Sequence, residues 1–222
     1  AAEIPARFAH IPPVSRGASF DQPALAEDIR YYGNWMLRQA EIVSANLYPN
    51  VNGSEPFAWL WVRTVECPNP ACKCKMPLAS SFVLSKHTSN AYWAEPVQNG
   101  DEFAFRIHKG ICPEGKATNK VGSAGAKFQC PACGELATDD YIKKAGQQHR
   151  LGMQLMAVVG TDADKKVYFE PDAAQIHASE MPKPDDLPAG SISTNAHWFS
   201  PPGFGLTEYA DLFTARQLEM LT

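Results

Sequence analysis

The chain has 222 residues, of which 45% are hydrophobic and 20% charged, and its formal net charge at pH 7 is -4. This composition is typical of a globular protein, and no apolar run approaches the roughly 18 residues that a membrane-spanning helix needs. The negative net charge argues against a protein whose whole surface is built to bind nucleic acid.

The N-terminal end favours a cytoplasmic fragment of a longer protein. The first residue is not Met, and the residues after it lack the basic and apolar regions of a secretory signal. Residues that break regular structure predict an extended arm over residues 1–20: Pro5, Pro12, Pro13 and Gly17. In the cytoplasm, cysteines stay reduced and are available to bind metals.

An amphipathic helix is the clearest predicted element. Asp21 and Pro23 are typical of a helix N-terminus. The apolar residues that follow are spaced by three and four positions: Leu25, Ile29, Tyr32, Met36, Ala40 and Val43. The turn-rich residues 49–56 separate this helix from an apolar run at 57–65, which predicts a buried strand.

The remaining elements are shorter. Strands are predicted at 81–84 and 102–108, with Trp93 in a polar loop between them, and residues 115–127 predict a Gly-rich and Lys-rich loop. Thr138, followed by two aspartates, predicts a helix N-terminus. Stretches 155–159 and 166–169 predict a β-hairpin. Residues 181–205 are rich in Pro and Gly, and residues 214–217 form a capping box that opens a C-terminal helix.

Two pairs of cysteines have the spacing of zinc ligands. Cys130 and Cys133 are separated by two residues and followed by Gly134, which lets the backbone turn beneath a metal ion. Cys67 and Cys72 are separated by four residues. Because no secretory signal is present, such pairs favour metal ligation over disulfides. We therefore predict one structural zinc ion with four ligands: Cys67, Cys72, Cys130 and Cys133.

Two cysteines lie outside this set. Cys74 is an alternative to Cys72 as the second ligand of the first pair, although Pro70 stiffens the loop that delivers Cys72. Cys112 stands alone and is predicted to be a small buried thiol. A thiol-exchange role for the second pair is disfavoured, because Gly134 and polar residues follow it where a redox motif would begin a helix.

Together these patterns predict an α+β fold, in which a zinc-ribbon-like knuckle pair accompanies a small antiparallel sheet and flanking helices. The sequence predicts three regions along the chain. Residues 1–50 form the N-terminal arm and the amphipathic helix, and residues 51–180 form the zinc-binding α+β domain. Residues 181–222 form a Pro/Gly-rich linker and the start of a C-terminal helix.

Several stretches resemble one known family. The sequence is similar to the central region of adenine-specific DNA methylases containing a Zn-ribbon, at residues 3–5, 7–8, 12–14, 25–33, 59–65, 67–72, 76–78, 85–86, 130–134 and 211–218. The resemblance implies that S-adenosylmethionine is a cofactor of the parent protein. It also implies that the motifs for this cofactor and for the target adenine lie outside these residues, because neither motif occurs here. The chain alone is therefore expected to be non-catalytic.

The resemblance and the charge distribution together favour DNA as a partner. From Arg63 to Arg150 there are 12 lysines and arginines against 8 acids, whereas the rest of the chain has 8 against 16. Four lysines are candidate phosphate contacts: Lys86, Lys116, Lys120 and Lys127. The expected function is a zinc-binding module that aids DNA recognition or organises the remainder of a methyltransferase chain. The alternative is a zinc-stabilised protein-interaction module without DNA contact; no membrane partner is expected.

Overall fold

The computed structural model describes residues 24–163, 165–195 and 200–221. The chain divides into two units, one ending at Asn46 and the other beginning at Leu47. The predicted arm over residues 1–20, together with Asp21 and Pro23, lies outside the described residues. No helix in the described part of the chain combines the length and apolar character that crossing a membrane requires.

The first unit contains helix α1 (Ala24–Ser44), which confirms the predicted helix. Several of its apolar side chains are exposed, among them Ile29 at 64% and Met36 at 58%, two members of the predicted stripe. Trp35, Leu37 and Ile42 are exposed as well, so apolar surface extends well beyond that stripe.

The second unit contains the other regular elements of the described residues. Its strands are β1 (Pro56–Glu66), β2 (Lys75–Pro77), β3 (Val83–Ser85), β4 (Tyr92–Asn99), β5 (Glu102–Lys109), β6 (Phe128–Gln129), β7 (Leu136–Ala137), β8 (Gly152–Asp162) and β9 (Lys165–Phe169). Its α-helices are α2 (Asp139–Gln147), α3 (Ala173–Ser179) and α4 (Ala215–Leu221). Three 3₁₀ helices cover Thr88–Asn90, Pro201–Phe204 and Tyr209–Leu212. The predicted α+β class is therefore confirmed.

All the strand pairs are antiparallel. A four-stranded sheet has the order β2-β1-β8-β9, a second sheet has the order β3-β4-β5, and β6 pairs with β7. The predicted strand at 57–65 is β1, and the predicted hairpin is β8 with β9, both longer than expected. Strand β4 was not predicted: Trp93 lies in it and is buried, so placing this residue in a polar loop was wrong.

Local sequence signals fix the helix ends. The Thr138 side chain accepts a hydrogen bond from the backbone N–H of Tyr141, as predicted for the start of α2. The capping box before α4 is confirmed, because the Gln217 side chain accepts from the N–H of Thr214 at 2.9 Å. Helix α3 was not predicted, although Asp172 caps it by accepting from the N–H of Gln175.

Buried apolar side chains form three clusters that hold these sheets together. One surrounds the cysteines and contains Val65, Met76, Phe103, Phe128 and Ile142. The second joins the two larger sheets through Val62, Phe82, Ala94, Phe105 and Met156. The third packs Val51, Leu155 and Val158 against the tryptophans of β1. The first cluster matters most here, because it fixes two hairpin tips side by side.

Candidate metal centre

Each predicted cysteine pair lies at the tip of a β-hairpin. The first tip, residues 67–74, joins β1 to β2. The second tip, residues 130–135, joins β6 to β7. Strand pairing therefore brings each pair together in space, and the shared apolar cluster brings the two tips together.

Five sulfur atoms converge between the two tips. The Sγ of Cys67 lies 3.6 Å from that of Cys133, and the Sγ of Cys74 lies 3.3 Å from that of Cys72 and 3.4 Å from that of Cys130. The sulfurs of Cys67, Cys72, Cys74 and Cys130 all lie within 4.8 Å of one another. Within the described residues, this is the one such group of three or more side chains that could hold a metal ion.

The spacing of the sulfurs suits a metal ion with four thiolate ligands. Zinc–sulfur bonds of about 2.3 Å place the corners of a tetrahedron about 3.8 Å apart. The observed separations are slightly shorter, so a small expansion would admit the ion. These cysteines could therefore hold a metal ion, and thiolates are the ligands that zinc and other soft metals prefer.

The two tips share a backbone pattern. At the first tip, the N–H of Cys67 donates to the carbonyl of Cys74 at 2.8 Å. At the second, the N–H of Cys130 donates to the carbonyl of Glu135, also at 2.8 Å. In each tip, the residue that precedes the accepting residue has a positive φ, and this positive-φ residue directly follows a cysteine. Lys73 has φ 53° after Cys72, and Gly134 has φ 78° after Cys133.

This pattern assigns equivalent positions in the two tips. Cys67 corresponds to Cys130, and Cys72 corresponds to Cys133. Cys74 corresponds to Glu135, which has no thiol. The fifth cysteine is therefore an addition to a repeated arrangement of four, although its sulfur lies inside the cluster. The sequence analysis kept Cys74 only as an alternative ligand, because Pro70 was expected to stiffen the loop that delivers Cys72. The C-x-C spacing does not show on which side of a hairpin tip a side chain lies.

Burial differs among the five cysteines. Cys67, Cys74 and Cys130 are buried, Cys72 is half-buried and Cys133 is exposed. Burial raises the pKa of the Cys67 and Cys74 thiols. Hydrogen bonds from the backbone and side chain of Cys74 lower the pKa of Cys72 to about 7. Among the mutually closest four, Cys72 is the one cysteine that is not fully buried.

The other candidate ligands have different partners. Cys112 is half-buried, and its Sγ lies 3.6 Å from the carbonyl of Pro113. The Nε2 of His108 lies 2.9 Å from a carboxylate oxygen of Glu95, and its ring stacks on Trp93. None of these groups belongs to the cysteine cluster of the described residues.

The four candidate DNA-contacting lysines lie on loops or at strand ends. Lys86 and Lys127 are exposed, and Lys120 is half-buried. Lys116 is engaged within the protein: its Nζ lies 2.6 Å from Glu95 and also above the Trp93 ring. The structure therefore places Lys116 in an ion pair that the sequence did not reveal, because its partner is 21 residues away.

Comparison of the chain with known protein families, curated protein sequences and solved structures finds no match.

Proposed function

We propose that the chain is a zinc-binding module in which Cys67, Cys72, Cys130 and Cys133 hold one structural zinc ion. The observation that carries this proposal is the repeated backbone pattern of the two hairpin tips. Four thiolates would fill the tetrahedral coordination of zinc and leave no open position for catalysis. The ion's role would be to tie the two hairpins together and compensate the charge of the thiolates.

The choice among five cysteines follows from the same pattern. The sulfurs that lie mutually closest include Cys74 rather than Cys133. Nevertheless, Cys133 occupies the position equivalent to Cys72, and its Sγ already lies 3.6 Å from that of Cys67. We give more weight to the equivalence, because repeated hairpin tips deliver equivalent sulfurs to one ion. Cys74 then remains a thiol beside the ion.

The module would serve an adenine-specific DNA methyltransferase. Support comes from the family resemblance around the two hairpin tips, α1 and α4. The motifs that such enzymes use for S-adenosylmethionine and for the target adenine have no counterpart in these 222 residues. We therefore assign cofactor binding and methyl transfer to the remainder of the parent protein, and a cytoplasmic location where the cysteines stay reduced.

DNA contact is the role that the lysines around the metal centre would support. The two hairpin tips delimit the segment that carries Lys86, Lys116, Lys120 and Lys127, so a bound metal would hold its ends together. Exposed lysines at fixed positions neutralise phosphates without reading bases. Lys116 would have to exchange its bond to Glu95 for a phosphate, so we expect smaller contributions from it than from Lys127.

The test is a salt titration of duplex DNA binding. Replacement of Lys116, Lys120 and Lys127 by Ala should weaken binding to all sequences alike and flatten the salt dependence by roughly one unit of slope per lost contact. Replacement of Lys144, Lys165 and Lys183 removes the same charge elsewhere and should have less effect. Equal effects of the two triple variants, or no effect of either, would contradict a DNA surface on this segment.

A protein-interaction module without DNA contact is the second candidate. The exposed apolar side chains of α1, including Ile29, Met36 and Ile42, favour it. If the zinc-loaded chain shows no salt-dependent DNA binding, this candidate replaces the first. The zinc site would then stabilise a docking domain.

A further inference from the structure

A fifth cysteine inside a four-thiolate site requires a role of its own. Cys74 is completely buried, and its Sγ lies 3.3 Å from that of Cys72. Cys72 is half-buried and is therefore more open to small solutes than Cys74. A more open thiol thus lies against a buried thiol that the proposed ligand set does not use.

We propose that Cys72 is an oxidation site and Cys74 its resolving thiol, so that a peroxide converts the pair to a disulfide and releases the zinc ion. This inference rests on the proposed zinc site. It extends that proposal by assigning a role to the cysteine that the repeated hairpin pattern leaves over.

The chemistry requires only the peroxide as oxidant. The Cys72 thiolate attacks one peroxide oxygen, so a sulfur–oxygen bond forms, the oxygen–oxygen bond breaks and hydroxide leaves. The Cys74 sulfur then attacks the sulfenic sulfur of Cys72 and gives up its proton. A disulfide forms, and the displaced hydroxide takes that proton as water. The two sulfurs lose two electrons, and the peroxide is reduced to hydroxide and water.

Zinc release follows from the loss of one ligand. A disulfide sulfur is not a thiolate and does not hold zinc. The ion would keep only Cys67, Cys130 and Cys133, of which Cys133 is exposed to solvent and competing ligands. A thiol reductant should restore Cys72 and allow zinc to bind again.

The geometry favours this pair over the others. Cys74 also lies 3.4 Å from Cys130, but both of these thiols are buried and out of reach of a solute. Cys133 is exposed and lies 3.6 Å from Cys67, yet both belong to the proposed ligand set. Only Cys72 and Cys74 combine an accessible sulfur with a neighbour that is not occupied by the ion.

Tryptic digestion can distinguish these disulfides because lysines separate the cysteines. Cleavage places Cys67 and Cys72 in peptide 64–73, Cys74 in peptide 74–75, and Cys130 and Cys133 in peptide 128–143. After hydrogen peroxide treatment of the zinc-loaded chain, we expect peptides 64–73 and 74–75 to be joined by a disulfide. If the disulfide blocks cleavage, peptide 64–75 should appear with two hydrogens fewer. Fragmentation then identifies Cys72 as the partner.

Zinc release, followed with a chromogenic chelator, provides the second readout. The native chain should release its zinc as the disulfide forms and rebind it after reduction. Cys74→Ala should bind zinc normally, form no disulfide at the same peroxide dose and oxidise further at Cys72, so that a thiol reductant restores less of its zinc binding than in the native chain. Cys112→Ser is the matched control and should behave as the native chain.

The remaining results distinguish a failure of the proposed zinc site from a failure of the proposed oxidation site. A native chain that binds no zinc would overturn the proposed function itself. A native chain that binds zinc, while Cys74→Ala does not, would make Cys74 a ligand and overturn its role as resolving thiol. Zinc binding by both, with equal recovery of zinc binding after reduction or a link between peptides 64–73 and 128–143, would overturn the oxidation site and leave the zinc module intact.

Discussion

The two hairpin tips reach the same backbone arrangement with different sequences. The first tip is two residues longer and relies on side chains, since the Asn69 carboxamide oxygen accepts a hydrogen bond from the N–H of Ala71 at 2.9 Å. It also places Lys73 in the left-handed region. The second tip is shorter and places Gly134 there, while the Gln129 side chain donates to the Gly134 carbonyl at 3.0 Å.

We infer from this difference that the backbone pattern, rather than the spacing of the cysteines, makes the two tips equivalent. A four-residue gap and a two-residue gap end in the same N–H to carbonyl bond. In both tips the second cysteine immediately precedes the left-handed residue. If this equivalence is correct, substitutions at equivalent positions should have similar consequences, and substitution of Cys74 should have a different one.

The largest expected effect comes from the first cysteine of either tip. Cys130→Ser should reduce bound zinc from one ion per chain to nearly none, because a buried ligand cannot be replaced by a solvent molecule. Structural zinc sites contribute roughly 10 kcal/mol or more of apparent binding free energy, so the unfolding temperature should fall as well. Elemental analysis and thermal unfolding measure both effects. Cys112→Ser should retain the ion, and zinc retention by Cys130→Ser would refute the site.

The second prediction compares the equivalent cysteines with the additional one. Cys72→Ser and Cys133→Ser should both lose zinc, whereas Cys74→Ala should keep it and lose only about 1 kcal/mol from a small cavity. Metal analysis of the three variants decides which four cysteines bind the ion. If Cys74→Ala loses zinc and Cys133→Ser keeps it, the ligands are the four mutually closest sulfurs. If Cys74→Ala and Cys133→Ser lose it and Cys72→Ser keeps it, Cys74 replaces Cys72.

The third prediction concerns the two residues in the left-handed region, Lys73 and Gly134. Their substitution should change the stability of the fold by a smaller amount. A Cβ at Gly134 would meet no atom closer than 3.7 Å, so Gly134→Ala tests backbone strain alone and should destabilise the chain by about 1 kcal/mol. Lys73→Gly removes the same strain from the first tip, but it also increases the freedom of the unfolded chain. We therefore expect Lys73→Gly to raise the free energy of unfolding by between zero and about 1 kcal/mol.

Denaturant unfolding of the zinc-saturated variants measures both changes. Gly203→Ala is the control, because Gly203 has an ordinary φ and open space around its Cα. Equal destabilisation by Gly134→Ala and Lys73→Gly would show that the two positions are not equivalent. In that case the assignment of Cys72 as the partner of Cys133 would lose its main support.

The sequence predicted the elements whose signals are local. Helix α1 followed from apolar spacing, α2 and α4 from their caps, and β1 from its dense apolar run. Asp172, the N-cap of α3, offered a comparable signal that was not used. The cysteine pairs at the two hairpin tips also followed from local spacing, whereas zinc as the metal and the choice of four ligands among the five sulfurs remain predictions.

The features that the sequence did not predict depend on tertiary structure. Strand β4 contains Pro96, which usually argues against a central strand. However, β3 pairs only with the other end of β4, at Tyr92 and Trp93, so Pro96 pairs with β5 alone and its missing N–H breaks no ladder to β3. The position of the Cys74 sulfur and the ion pair of Lys116 likewise depend on contacts that sequence spacing does not specify.

The smallest expected effect concerns Glu95 and Lys116, which border a groove beside the second tip, next to Pro131 and Gly134. The hydrogen bond from Lys116 and the one from His108 lower the pKa of Glu95. A carboxyl group with a lowered pKa stabilises the fold above its ordinary pKa of about 4.3, and this contribution is lost as the pH falls through the lowered value. This contribution should be small, because the Lys116 side chain is exposed.

Lys116→Ala should therefore raise the pKa of Glu95 toward its ordinary value, while His108 retains part of the shift. NMR titration of the Glu95 side-chain carboxyl carbon measures this change directly. Lys120→Ala removes the same charge from the same loop and should leave the pKa of Glu95 nearly unchanged. If both variants shift this pKa equally, the ion pair does not form in solution. Lys116 would then be free to contact phosphate, as the sequence alone suggested.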